Sequence, residues 1–143
     1  MPIGSAAINP ADWVPHQGAM CLLEGVEAFS ETAIVCRTWS HLSPENPLRR
    51  GGRLSTVAGI EYGLQAAALH GAIVAGAPQQ AGFAAALRAV SLQATRLDNP
   101  EWGALRVRAA LLARDSKALI YVFQIEADSG RLVLSGRATI ALP

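Results

Sequence analysis

Leu119, Tyr121, Phe123 and Ile125 alternate with Ile120, Val122, Gln124 and Glu126. A period of two is that of a strand with one better-buried face. Leu105, Val107, Ala109 and Leu111 alternate in the same way with Arg106 and Arg108, and Ala33, Val35 and Arg37 with Ile34, Cys36 and Thr38. On this reading strands are predicted at about 20–29, 32–40, 83–97, 104–114, 118–127 and 132–142, the first two forming a hairpin. Between the later strands stand the turn formers Leu97-Asp98-Asn99-Pro100, Arg114-Asp115-Ser116-Lys117 and Asp128-Ser129-Gly130, and strands joined by such short loops pair antiparallel. Residues 10–18 read as a turn or helix stub ending at Pro15 and Gly18.

One segment obeys another rule. From Val57 to Gly76 nearly every residue is apolar and small, which predicts a helix enclosed on most sides, capped by Ser55 and ended by Gly71, Gly76 and Pro78. The run is also long enough for a membrane helix. Glu61, Gln65 and His70 lie inside it, however, and the rest of the chain reads as sheet, so a buried helix wrapped by strands is the better account. Two strands, one long helix and four strands make an α+β layout in which the antiparallel sheet wraps the helix. At 143 residues the chain is expected to form a single domain over 1–143.

Composition excludes more than it assigns. The formal net charge is +1 and only 16% of residues are charged, so nothing global points to nucleic acid. Met1 to Pro10 has no basic segment followed by an apolar stretch, so no secretory signal is read and a cytoplasmic protein is expected. Cys21 and Cys36 stand apart in strand-like segments, which suits reduced core thiols and offers no zinc site.

Glu61 is the only Asp, Glu, Lys or Arg in the run from Val57 to Gly76, and a carboxylate among apolar neighbours is costly without a reason. A reason comes from three motifs. Val14-Pro15-His16-Gln17-Gly18 through Leu22-Leu23-Glu24-Gly25-Val26 resembles, without a gap, the opening signature of 3-hydroxyacyl-acyl-carrier-protein dehydratases, which have the hotdog fold. Gly59-Ile60-Glu61-Tyr62-Gly63-Leu64-Gln65-Ala66 is similar to their central-helix signature, an acid followed four residues later by Gln, and Phe83-Ala84-Ala85-Ala86-Leu87-Arg88 to the strand that follows. The runs Asn46-Pro47-Leu48-Arg49-Arg50 and Gly59-Ile60-Glu61-Tyr62 resemble the divergent branch of polyene-type and related polyketide pathways.

The resemblance implies a single hotdog domain and removal of water from a 3-hydroxyacyl thioester, in fatty-acid-like or polyketide biosynthesis, without cofactor or metal. It also implies an acyl carrier protein as partner and pairing of two subunits, as a homodimer or as a heterodimer with a related hotdog subunit. Such a reaction needs a base for the proton beside the carbonyl, donors for the enolate oxygen and an acid for the leaving hydroxyl. Glu61 matches the family's acid, and burial in an apolar helix is a physical means of keeping its proton. Gln65, one turn later, is placed to orient it.

The family's usual histidine, fourteen residues before the acid, is replaced here by Pro47. His16, in the matching Pro-His motif, is the first candidate base. His41, in a loop before the helix where a solvated ring is the ordinary state, is the second. His70, nine positions after Glu61 and on the opposite side of the helix, reads as a core histidine. The amides at the helix start, around Ser55, Thr56 and Val57, are candidates for holding the thioester oxygen. Arg49, Arg50 and Arg53 form the one local cluster of charge and are candidates for docking the carrier or its phosphate, with a solvated loop as the plain alternative. Two other readings remain open: a hotdog thioesterase, and a catalytically silent acyl-binding or partner subunit.

Overall fold

The computed structural model describes residues 8–14, 18–76 and 83–142, with only the backbone of residues 83–85. Six strands, β1 (Gly25–Phe29), β2 (Ala33–Thr38), β3 (Phe83–Leu92), β4 (Leu105–Arg114), β5 (Ala118–Glu126) and β6 (Leu132–Ala141), form one sheet in the order β1-β2-β4-β5-β6-β3. Every neighbouring pair is antiparallel. The long helix α1 (Gly59–Ala75) packs on one face of this sheet, against β2, β4, β5 and β6.

The alternation seen in the sequence decides that face. Ile34, Cys36 and Thr38 of β2, Leu105, Val107 and Ala109 of β4, and Tyr121, Phe123 and Ile125 of β5 are all buried. Their register partners line up across the sheet, with Cys36 opposite Val107 and Val107 opposite Ile125. The other face carries charge, including Glu27 paired with Arg37 and Arg106, and Arg108 with Glu126.

Glycine sets how close helix and sheet can come. A Cβ on Gly63 would stand 2.4 Å from the Phe123 ring, and one on Gly59 2.1 Å from Leu134 Cδ2. The small residues therefore serve close packing at these two positions rather than an open tunnel. Gly136 of β6 accepts the far end of the same Phe123 ring, which a Cβ there would meet at 2.7 Å. Gly76 ends α1 in the left-handed conformation, φ 79°, with its N–H returned to the Ala72 and Ile73 carbonyls.

Two predicted strands are shorter than the pattern suggested. The first begins at Gly25, not at residue 20, because the preceding backbone is held by side chains. Gln65 accepts from the Leu22 N–H at 2.9 Å and donates to the Met20 carbonyl at 2.7 Å, while the Thr38 and Ser40 hydroxyls both donate to the Leu22 carbonyl at 2.6 Å. β3 ends at Leu92; the chain then turns to the segment before the helix, where Leu97 N–H donates to the Leu54 carbonyl at 2.8 Å and Ser55 bridges Arg96. Pro10–Asp12 is a single 3-10 turn, as the stub predicted there suggested, and residues 15–17 lie outside the described residues.

Candidate active site

The helix start is built from Ser55. Its hydroxyl accepts from the Val57 N–H at 3.2 Å, and residues Thr56–Ala58 form a 3-10 turn before α1 begins. The N-cap is as expected, but the free donors are not there. Thr56 N–H is given to the Thr95 carbonyl at 3.3 Å and Val57 N–H to Ser55, so neither amide stands open for a thioester oxygen. A capped terminus satisfies the donors that an oxyanion would need. The side-chain hydroxyl of Thr56 is buried with no partner among the described residues.

Glu61 lies in the first turn of α1 and is half-buried, not enclosed. The correction has a geometric cause. The sheet covers Gly59, Tyr62, Gly63, Ala66, Ala67, His70 and their neighbours, whereas Val57, Glu61, Leu64 and Ala68 follow one another at helical spacing along the side it leaves uncovered. Val57 is 54% exposed. Glu61 thus occupies an apolar stripe at the margin of the core, where Val57 and Ala68 are exposed and Leu64 is partly buried against the core.

Gln65 points elsewhere. Both ends of its amide hold the Met20–Leu22 backbone, so the expected role of orienting Glu61 is replaced by anchoring the segment that leads out of the Pro-His motif. His16 itself lies outside the described residues.

His41 overturns the expectation of a solvated loop side chain. It sits in a 3-10 turn, Ser40–Leu42, with 0% exposure, and neither ring nitrogen has a hydrogen-bond partner among the described residues. Burial lowers its pKa to about 4, against the opposing influence of the Gly103 backbone, Glu24 and Asp98. A sealed imidazole of such low basicity is a poor proton acceptor for substrate. His70 is the core histidine expected: Nδ1 is 2.7 Å from the Tyr121 hydroxyl and Nε2 3.0 Å from the Ser30 carbonyl.

The three arginines separate. Arg49 is a strut: Nε donates to the Ser43 carbonyl at 2.8 Å, Nη2 to the His41 carbonyl at 3.1 Å and Nη1 to Asp98 at 2.9 Å. With its side chain 17% exposed and so engaged, it does not serve as a docking cation. Arg50 and Arg53 flank a tight turn through Gly51 and Gly52, both at positive φ, and are exposed. Only these two remain available to a partner.

Sequence reasoning missed the polar cluster that fixes the loop before the helix. Asn46, 6% exposed, donates to the Tyr62 hydroxyl at 2.9 Å and to the Ser40 carbonyl at 3.0 Å, and Ser40 Oγ lies 2.8 Å from the same Tyr62 oxygen. The two runs Asn46-Pro47-Leu48-Arg49 and Gly59-Ile60-Glu61-Tyr62 are therefore joined in space, next to Glu61. Asp98, read only as a turn former, is buried between Arg96, which grips both its oxygens at 2.9 and 2.8 Å, and Arg49. The Arg96 contact, aided by Arg49 and the Leu54 backbone and opposed by burial, holds its carboxyl well below the usual carboxylate range. Among the described residues no three His, Cys, Asp or Glu side chains gather as a metal site requires. Among those residues, too, no helix is long and apolar enough to cross a membrane.

No curated protein matches this sequence. Among solved structures, the dehydratase heterocomplex ApeI:P from Xenorhabdus doucetiae matches with TM-score 0.83 at 23% identity, over 95% of this chain and 91% of that one. A hypothetical thioesterase with coenzyme A from Streptococcus pneumoniae matches with TM-score 0.58 at 14% identity, over 82% and 84% of the two chains. The E. coli PaaI protein of the phenylacetic acid degradation operon matches with TM-score 0.61 at 12% identity, over 81% and 80%. At such identities the likeness speaks for the fold, a hotdog. The sequence itself says more, because the family model described as ApeP-like, ApeP dehydratase, matches residues 8–143. With the acid-bearing helix, the tethered loop and the hotdog sheet in place, the chain belongs to the ApeP-like dehydratase family.

Proposed function

We propose that the chain is a dehydratase subunit that takes water from a 3-hydroxyacyl thioester on an acyl carrier protein and leaves the 2-enoyl thioester. His16 removes the proton beside the carbonyl, the electron pair moves into the new carbon–carbon double bond, the carbon–oxygen bond to the hydroxyl breaks, and Glu61 supplies the proton with which it departs as water. No metal or organic cofactor takes part. The reaction needs only these two proton transfers and a dry, polarised site.

The observation that carries this reading is the place of Glu61: half-buried, in an apolar stripe of α1 that the sheet does not cover. A second subunit laid on that stripe encloses Glu61 and excludes water from the reacting atoms. The edge strand β3 supports the same view, because Leu87, Val90 and Leu92 expose 39–44% of their surface beside an unpaired strand edge. The partner is a second copy or a related hotdog subunit, and the Xenorhabdus relative, described as a heterocomplex, favours the latter.

Pro47, in place of the usual histidine, favours a second reading in which this chain shapes the site while its partner performs the chemistry. The test is mass analysis of a hydroxyacyl-carrier thioester after incubation with the chain alone and with a partner subunit. Enoyl thioester whose formation is lost with Glu61→Gln, whether from the chain alone or with the partner, supports the first reading, and enoyl thioester only with the partner, unaffected by Glu61→Gln, supports the second. Free hydroxy acid would mean thioester hydrolysis and would overturn both.

A further inference from the structure

Beyond the surroundings of Glu61 lies a groove of about 630 Å³, lined chiefly by Thr95, Arg96, Asp98, Asn99, Trp102 and Arg131. Its walls are fixed from behind. The Trp102 indole N–H donates to the Arg96 carbonyl at 3.3 Å, and Arg96 grips Asp98 through Nε and Nη2, which leaves Nη1 free of that pair on a side chain 46% exposed. Across the groove the Arg131 guanidinium lies 4.9 Å from the centre of the Trp102 ring. The Arg131 guanidinium has this cation–π contact, and its N–H groups have no hydrogen bond or ion pair to any described residue.

The charge balance favours an anion. Arg96 and Arg131 line the groove against Asp98 alone, and Asp98 is also neutralised from behind by Arg49. Glu101 projects from the adjoining turn without lining the groove, and Asp128 is paired with Arg106. Preset guanidinium edges of this kind suit a phosphate, whose oxygens accept paired N–H donors. Backbone pairing ties the lining residues of the groove to the helix start: the Thr56 N–H donates to the Thr95 carbonyl and Ser55 bridges Arg96. Glu61 follows Thr56 by five residues, on the order of 8 Å along the axis.

We infer that this groove, with Arg131 as its free cation, receives the phosphate of the phosphopantetheine arm that carries the substrate. The inference rests on the reading of the chain as a handler of carrier-bound thioesters, and it moves the phosphate contact away from the Arg49–Arg53 loop. It is tested without turnover, by calorimetric titration of the whole chain at low salt with 4′-phosphopantetheine and with pantetheine. The phosphate-bearing ligand binds about tenfold more tightly, Arg131→Ala abolishes most of that difference, and Arg131→Lys keeps part of it. Pantetheine affinity is unchanged by either substitution, and inorganic phosphate competes with phosphopantetheine. Equal affinity for the two ligands, or a difference that survives Arg131→Ala, overturns the assignment. An acidic carrier protein that binds as tightly without its phosphopantetheine as with it also overturns it, in favour of a protein-surface contact. Because binding is read directly, a chain that discriminates the phosphate yet dehydrates nothing leaves the groove standing and removes only the catalytic reading.

Discussion

Three side chains carry the residue-scale account. Glu61→Gln keeps the shape of the acid but removes the proton it is proposed to donate, so kcat should fall by about a hundredfold or more with little change in melting temperature. Asp98 is a different case, a buried carboxylate between two arginines. Asp98→Ala leaves Arg49 without its counter-ion and should lower unfolding stability by about 3 kcal/mol, read from urea midpoints. Its depressed pKa adds stability that is present above the ordinary Asp value and is lost as pH falls toward the folded value. His41, with its pKa lowered to about 4, acts in a higher window. The unfolded chain binds a proton there that the folded chain refuses, so stability drops as pH falls from about 6.5 to about 4. Thermal melts across that window should show a shallower fall for His41→Leu than for wild type. The groups around His41 include Glu24 and Asp98, which favour its proton, and Arg49, which opposes it. Identical slopes would remove His41 from the pH response. None of this burial was legible in the sequence, because His41 stands among Ser, Pro and Asn, residues that ordinarily mark a solvated loop. Its neighbours in space come from residues 98 and 103.

At the scale of elements, local periodicity was sufficient where a strand pairs on both sides and packs on one face. In β2, β4 and β5 the buried residues all fall within one of the two alternating sets read in the sequence, and in β2 that set ends at Thr38, whose hydroxyl finds the Leu22 carbonyl. It failed where side chains replace strand pairing. Residues 20–24 have an apolar, strand-like pattern, yet Gln65 and Ser40 hold their backbone, and no local pattern announces a contact 43 residues away. Gln65→Ala should therefore release this segment, giving faster amide exchange at Leu22 and a loss of about 1–2 kcal/mol. The helix presents a second limit. Its small residues were legible, but their purpose required the Phe123 ring. Gly63→Ala adds a Cβ at 2.4 Å from that ring, a clash that outweighs the roughly 1 kcal/mol gained in helix propensity. A net loss of about 2 kcal/mol is expected; a more stable variant would mean that helix and sheet pack less closely than described.

On the scale of the whole molecule, the described residues leave apolar surface exposed along the Val57–Glu61–Leu64–Ala68 stripe of α1 and on β3. The motifs pointed to the fold and the family because they follow one another in the family's order from Val14 to Arg88. They could not tell which side of the helix the sheet would leave open, since that depends on strands 40 to 80 residues later in the sequence. On the proposed reading, the stripe turns Glu61 from a core anomaly into half of a site that a second subunit completes. The decisive measurement is product analysis of a 3-hydroxyacyl-carrier thioester incubated with the wild-type chain and with Glu61→Gln, each assembled with its partner subunit. Loss of one water from the carrier-bound substrate with wild type, and its near absence with Glu61→Gln, is the predicted result. Equal dehydration by both assemblies would contradict the account.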